Sequence, residues 1–141
     1  MIFLLGLLYA RVHGHTNAFL YSRKGAEAIP ENEHEWLTWE RIIAYGFAPV
    51  GFVYGAWLGW IGLVLLFFDL VASVLAFSFF HNGHYNLMRD RIHDWANGWK
   101  YSSPTDTSRY NFTYVQRRNQ LYIAAGIMAV GYTVFFLLWH T

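Results

Sequence analysis

The sequence contains no cysteine, and only 13% of its 141 residues are charged. Without cysteine the chain has no disulfides, thiolate metal sites, iron–sulfur clusters or thiol catalysis. A soluble domain usually carries about 25% charged residues, so the shortage of charge favours a membrane protein. The formal net charge of +1 gives no basis for binding nucleic acid, and we expect no nucleic-acid partner.

The chain is instead rich in apolar residues: 55% of its residues are hydrophobic and 21% are aromatic. The stretch 42–80 contains a single formal charge, Asp69. As one helix this stretch would be roughly 58 Å long, about twice the thickness of the hydrocarbon core of a bilayer. We therefore predict a helical hairpin that turns near 55–59. One long helix is the alternative.

The predicted fold is a single all-α integral membrane domain over 1–141. Four transmembrane helices are expected at about 1–22, 33–54, 60–80 and 115–140, and the alternative with one long central helix has three. Residues 81–114 are predicted to form a polar cap on the inner face. This cap is expected to include a short amphipathic helix, because apolar residues recur there at helical spacing: Met88, Ile92, Trp95 and Trp99.

The basic residues predict the orientation of this arrangement in the lipid bilayer. With four spans, the loops on one side and the helix ends beside them hold all but one of the ten Lys and Arg residues, the exception being Arg11. The positive-inside rule places these loops in the cytoplasm. Both chain termini are then expected on the outer side.

Two opposite charges lie inside the predicted spans. Arg11 and Asp69 are each 12 residues from the predicted inner end of their helix, at Arg23 and His81. Both are therefore about 18 Å from the same face. Because a lone charge at this depth costs about 3 kcal/mol, the match predicts an intramembrane ion pair. The pair would serve either as a packing latch or as a relay for protons or ions.

Histidines gather on the predicted inner half of the chain, and only His140 lies on the outer half. Imidazole and carboxylate groups suit a transition metal such as iron or zinc. Membrane di-iron desaturases and hydroxylases also gather histidines at the cytosolic mouth of a helix bundle, and this chain is similar to them in composition but lacks their paired His-His boxes. The alternative is that these histidines only cap helices and bond to loop backbone. The candidate metal ligands are His15, His34, His81, His84, His93 and Glu33, with His13, Glu40 and Asp90 as further candidates.

Four glycines are spaced so that they share one face of a helix, where a neighbouring helix can approach closely: Gly51, Gly55, Gly59 and Gly62. This face predicts a scaffold, accessory or assembly subunit that forms a homo-oligomer or joins a partner membrane subunit, with no catalytic residue assigned. One alternative is a histidine-rich membrane metalloenzyme of the oxidoreductase or hydroxylase type, with its site at the cytoplasmic face. Another is proton- or ion-coupled transport through Arg11 and Asp69.

Overall fold

The computed structural model describes residues 2–24, 49–102 and 112–140. These residues form three α-helices and include no strand: α1 Ile2–Lys24, α2 Pro49–His93 and α3 Tyr114–Trp139. The predicted all-helical class is thereby confirmed. Helix α3 begins at a capping box, in which the Thr113 side chain accepts a hydrogen bond from the Gln116 backbone N–H and the Gln116 side chain accepts one from the Thr113 N–H.

Helix α2 consists of two arms that meet at Gly59. This residue has φ 58° and ψ −146°, a conformation that glycine adopts without the clash of a side chain. Across the turn, the Tyr54 hydroxyl lies 3.0 Å from Oδ2 of Asp69. Fifteen residues of straight helix would hold these positions about 22 Å apart, so the chain doubles back as a hairpin. We call 49–58 the first arm and 60–93 the central arm.

The central arm is longer than the sequence predicted. The third span was expected to end at 80, but the helix continues to His93, so 81–93 extends α2 instead of belonging to a loop. Gly83 does not break the helix, because the ring of Trp99 packs directly against it. Asp94 then ends the helix, with φ 55° in the left-handed region that commonly follows a last helical turn.

Helix α1 packs against the central arm and runs parallel to it. Ile2 clusters with Leu65 near one end of the interface, and Gly14 faces the backbone of His81 farther along both helices. The absence of a side chain at Gly14 lets the two backbones approach closely. The described part of α1 therefore begins level with the middle of the apolar portion of the central arm.

Helix α3 packs on another side of the central arm and runs antiparallel to it. Gly131 lies so close to Phe68 that an added Cβ would sit 2.6 Å from the Cβ of that residue. Toward the other end, fully buried Ala124 packs with Ala72 and Ala76. Small residues thus set the approach of both neighbours to the central arm.

A folded segment, 94–102, covers the end of the bundle where the central arm stops. The Asp90 carboxylate organises it by accepting a hydrogen bond from the Asn97 side chain at 3.0 Å and another from the Gly98 backbone N–H. Gly98 has φ 73° and turns the chain back. The ring of Trp99 then reaches Gly83 on the central arm. The cap was predicted over 81–114, but from here on we use the name cap for residues 94–102 alone.

Two helices are long and apolar enough to cross a membrane: α2 over Gly51–His93 and α3 over Tyr114–Trp139. The predicted first span, 1–22, is not among those found in the described part of the chain. Its four polar residues, Arg11, His13, His15 and Asn17, lower its hydropathy. The predicted second span, 33–54, lies mostly outside the described residues.

Candidate functional site

Polar side chains meet between α1 and the central arm, at the end of the bundle that the cap covers. The Asn17 amide nitrogen lies 3.2 Å from Nε2 of His81 and 3.5 Å from Nδ1 of His13. Nδ1 of His81 lies 2.9 Å from Oδ1 of Asn82. The nitrogen of an amide group donates hydrogen bonds and its oxygen accepts them. Nδ1 of His13 and Nε2 of His81 are therefore acceptors for Asn17, and Nδ1 of His81 carries the proton that it donates to Asn82. Asn17 therefore joins two histidines from different helices.

A second histidine pair lies on the same interface. The rings of His15 and His84 meet edge to face, with their centroids 5.1 Å apart. Trp99 of the cap also contacts the His84 ring, at a centroid distance of 4.9 Å. The positive charge of Arg11 acts on both imidazoles, and the charge of Arg91 also acts on His15. The surroundings of this pair are therefore cationic.

The predicted metal ligands are only partly brought together. His15 lies against His84, whereas His81 pairs with His13. His93 stacks on Trp95 at a centroid distance of 4.5 Å. The predicted ligands His34 and Glu33, and the further candidate Glu40, lie outside the described residues. Within 2–24, 49–102 and 112–140, no group of three histidine, aspartate or glutamate side chains is placed to hold a metal ion.

Arg11 and Asp69 occupy different surroundings. The Asp69 side chain is fully buried, whereas Arg11 is exposed beside the His15–His84 pair. The register of α1 gives the reason. Because Gly14 lies opposite His81, Arg11 is level with residue 78, about 13 Å along the bundle from Asp69. The equal depth expected from the sequence took His81 as the inner end of its helix, level with Arg23, but the central arm continues to His93.

The buried Asp69 carboxylate instead joins the two arms of α2. Its Oδ2 accepts a hydrogen bond from the Tyr54 hydroxyl of the first arm at 3.0 Å. Ser73 donates to the backbone carbonyl of Asp69 at 2.7 Å, and its side chain is also fully buried. The Tyr54–Asp69 contact thus joins the two arms of the hairpin. The predicted ion pair was expected to join the first and third spans in the same way.

The glycine face of α2 is occupied within the chain. An added Cβ at Gly62 would meet the Tyr54 carbonyl oxygen and would lie 2.7 Å from the Cβ of Leu58. Added Cβ atoms at Gly51 and Gly55 would lie 3.3 and 3.4 Å from leucine side chains of the central arm. Gly59 is the turn itself. These glycines therefore let the two arms pack together instead of presenting a surface to another molecule.

Arg117 fastens the cap to the start of α3. Its side chain is only 2% exposed, and one of its terminal nitrogens donates to the Tyr101 carbonyl at 2.9 Å and to the Ser102 hydroxyl at 3.3 Å. Asn86 of the central arm donates to the same Tyr101 carbonyl at 2.9 Å. The cap, the central arm and α3 therefore share one hydrogen-bonded junction.

Sequence reasoning missed three of these residues as parts of sites. The contact of Tyr54 could not be predicted, because its partner Asp69 lies across the turn and the sequence does not show which residues of the two arms stand opposite each other. Arg117 was counted only as a loop cation, although the capping box before it marks it as an early residue of a helix. Asn17 was not assigned to any site, although it lies one turn from His13.

Comparisons with protein-family models, with curated proteins and with solved structures found no match for this chain. The functional argument therefore depends on the geometry described above.

Proposed function

We propose that this protein is a small membrane scaffold or accessory subunit that associates, through the outer face of α3, with a second copy or with a partner membrane subunit. The supporting observation is the exposure of α3. Among 121–139 only Ala124 and Gly131 are buried, although this part of the helix carries no formal charge. A long apolar surface is therefore free to meet lipid or another helix.

The shape of this face favours close helix contact. An added Cβ at Gly126 would have no atom within 4 Å, so the backbone there is open to a neighbour. Ala125, Ala129 and Thr133 are exposed at intervals of four residues on the same helix. Small residues at this spacing let two membrane helices approach closely. The glycines of α2 are already used within the hairpin, so α3 supports association better than α2.

The proposal includes an orientation. The cations of the described residues lie mostly at the cap end of the bundle, among them Arg89, Arg91, Lys100, Arg117 and Arg118. By the positive-inside rule this end faces the cytoplasm, and α3 then leads to the outer side. The four-span topology, with the N-terminus also outside and 33–54 as the second span, remains part of this proposal.

Cysteine cross-linking tests the association directly, because the native chain has no cysteine. Ala129→Cys places one thiol on the outer face of α3. Phe67→Cys is a matched control, since Phe67 is 64% exposed on the central arm. In native membranes we expect oxidation to give covalent dimers, or an adduct with a partner subunit, from Ala129→Cys but not from Phe67→Cys. Equal yields from both variants would contradict association through α3.

A metalloenzyme is the second candidate, because two of its expected ligands, His15 and His84, do lie together. Iron or zinc held by this pair would appear as bound metal in the purified protein, and His84→Ala would remove it. Less than one metal ion per several chains would reject this function. Transport through Arg11 and Asp69 has weaker support, since the two residues occupy different surroundings.

A further inference from the structure

Two histidine rings, one on α1 and one on the central arm, direct a nitrogen at the same atom. Nδ1 of His13 and Nε2 of His81 lie 3.5 and 3.2 Å from the amide nitrogen of Asn17. Because both ring nitrogens are acceptors in these contacts, both present an unprotonated lone pair there. Neutral imidazole nitrogens are the commonest metal ligands in proteins. We call His13, His81 and Asn17 the imidazole site.

Neighbouring side chains hold the two rings in this orientation. Nδ1 of His81 donates its proton to Oδ1 of Asn82 at 2.9 Å. A histidine that binds a metal through one nitrogen almost always donates the other N–H to an oxygen or to water in this way. Phe77 stacks on the His81 ring at a centroid distance of 5.2 Å. Tyr9 stacks on the His13 ring at 5.4 Å. The two rings are therefore oriented before any ion binds, which lowers the entropy lost on binding.

Asn17 supplies a third ligand at the same place. The amide carries an oxygen on the same carbon as the nitrogen, and a half-turn of the side chain exchanges the two atoms. Metal–imidazole bonds are about 2.0–2.1 Å long, which is shorter than the present contacts with the amide, so the rings have to close around the ion. Asn17 is only half-buried, and an ion can therefore reach the site from its side of the interface.

The charge of the imidazole site decides which ion fits it. In the part of the chain that the structure describes, no third histidine and no carboxylate joins the two rings as a ligand, so all the ligands are neutral. His13 is only 7% exposed, and a buried charge without a counter-charge is costly. The positive charge of Arg11 acts on the neighbouring His15 and His84 rings. Zinc usually takes four ligands and carries two charges. Copper(I) is stable with two or three ligands and carries one charge, and imidazole suits copper.

We propose that the imidazole site binds one copper(I) ion through Nδ1 of His13, Nε2 of His81 and the side-chain oxygen of Asn17. The ion then joins α1 to the central arm. The site is separate from the His15–His84 pair considered above for iron or zinc, and the proposal does not depend on association through α3.

Competition between the purified full-length protein and a chromophoric copper(I) chelator, in neutral detergent under reducing conditions, tests the proposal. We expect one copper ion per chain. Asn82→Ala should weaken copper binding by about 10–100-fold, the usual effect of losing an orienting partner, and His13→Ala and His81→Ala should each weaken it further, because each removes a ligand. His93→Ala is the matched control, since His93 stacks on Trp95 and should leave the affinity unchanged.

X-ray absorption at the copper edge gives a second readout, in which the bound ion should show two imidazole nitrogens. Less than one copper ion per several chains would overturn the proposal, and so would zinc that binds more tightly than copper(I). An equal loss in His84→Ala would move the ion to the His15–His84 pair and would also overturn it. If His81→Ala does not fold, Asn82→Ala carries the test once circular dichroism shows its helices intact, and an unchanged copper affinity of this variant would contradict the proposal.

Discussion

Removing the Tyr54 hydroxyl should weaken the hairpin of α2 measurably. The change Tyr54→Phe keeps the ring, which clusters with Ile2 and Leu65, and deletes only the donor to the fully buried Asp69 carboxylate. A hydrogen bond to a charged group contributes about 1.5–3 kcal/mol, whereas those between transmembrane helices average about 0.6 and reach about 1.7 kcal/mol. We therefore expect a loss of about 1.5 kcal/mol in the free energy of unfolding.

The assay is reversible unfolding in mixed micelles of mild detergent and sodium dodecyl sulfate, followed by circular dichroism. Tyr122→Phe is the matched control, since Tyr122 is 62% exposed on α3 and its variant should unfold like the parent. A double-mutant cycle of Tyr54→Phe with Asp69→Ala should give a coupling of about 1 kcal/mol or more. The corresponding cycle of Arg11→Ala with Asp69→Ala should be additive to within about 0.5 kcal/mol. A larger coupling for Arg11 than for Tyr54 would refute the partner assignment and restore the ion pair.

Two further predictions follow from close packing and from the cap. Gly62→Ala should destabilise the fold by more than about 1 kcal/mol, because its methyl group would meet the Tyr54 carbonyl oxygen. Gly126→Ala should be neutral or slightly stabilising, because open space surrounds this residue. The same unfolding assay measures both variants, and equal effects would contradict the hairpin packing. Arg117→Ala should release the cap, because the Tyr101 carbonyl loses one of its two donors, and limited proteolysis should then cut within 94–102 at least several times faster than in the parent. An unchanged cleavage rate would contradict the role of Arg117.

The hairpin could be predicted from the sequence because it follows from length alone. An apolar stretch about twice as long as the bilayer is thick has to fold back, and the glycines near 55–59 offered the place. The structure puts the turn at Gly59. The end of the central arm was misjudged because His81, Asn82 and Gly83 look like a loop. Only the packing of Trp99 on Gly83, sixteen residues later in the chain, shows why the helix continues.

The polar contacts were harder to predict, because each depends on the register between two elements. Counting from assumed helix ends put Arg11 at the depth of Asp69, whereas the register of Gly14 against His81 puts the two residues about 13 Å apart along the bundle. The histidines were expected to gather as one group, whereas the interface sorts them into His13 with His81 and His15 with His84. Spacing along one helix predicts a shared face, but it does not predict which residue stands opposite.

The turn at Gly59 also bears on how the chain enters a membrane. Residues 49–68, which form the tip of the hairpin, carry no formal charge. The tip can therefore cross hydrocarbon without the free-energy cost of moving a charged group into it. Asp69 is the first carboxylate after that tip, and in the folded hairpin the Tyr54 hydroxyl lies beside it. In the proposed membrane topology, the hairpin thus supplies a hydrogen-bond donor for the one carboxylate that it would carry into lipid.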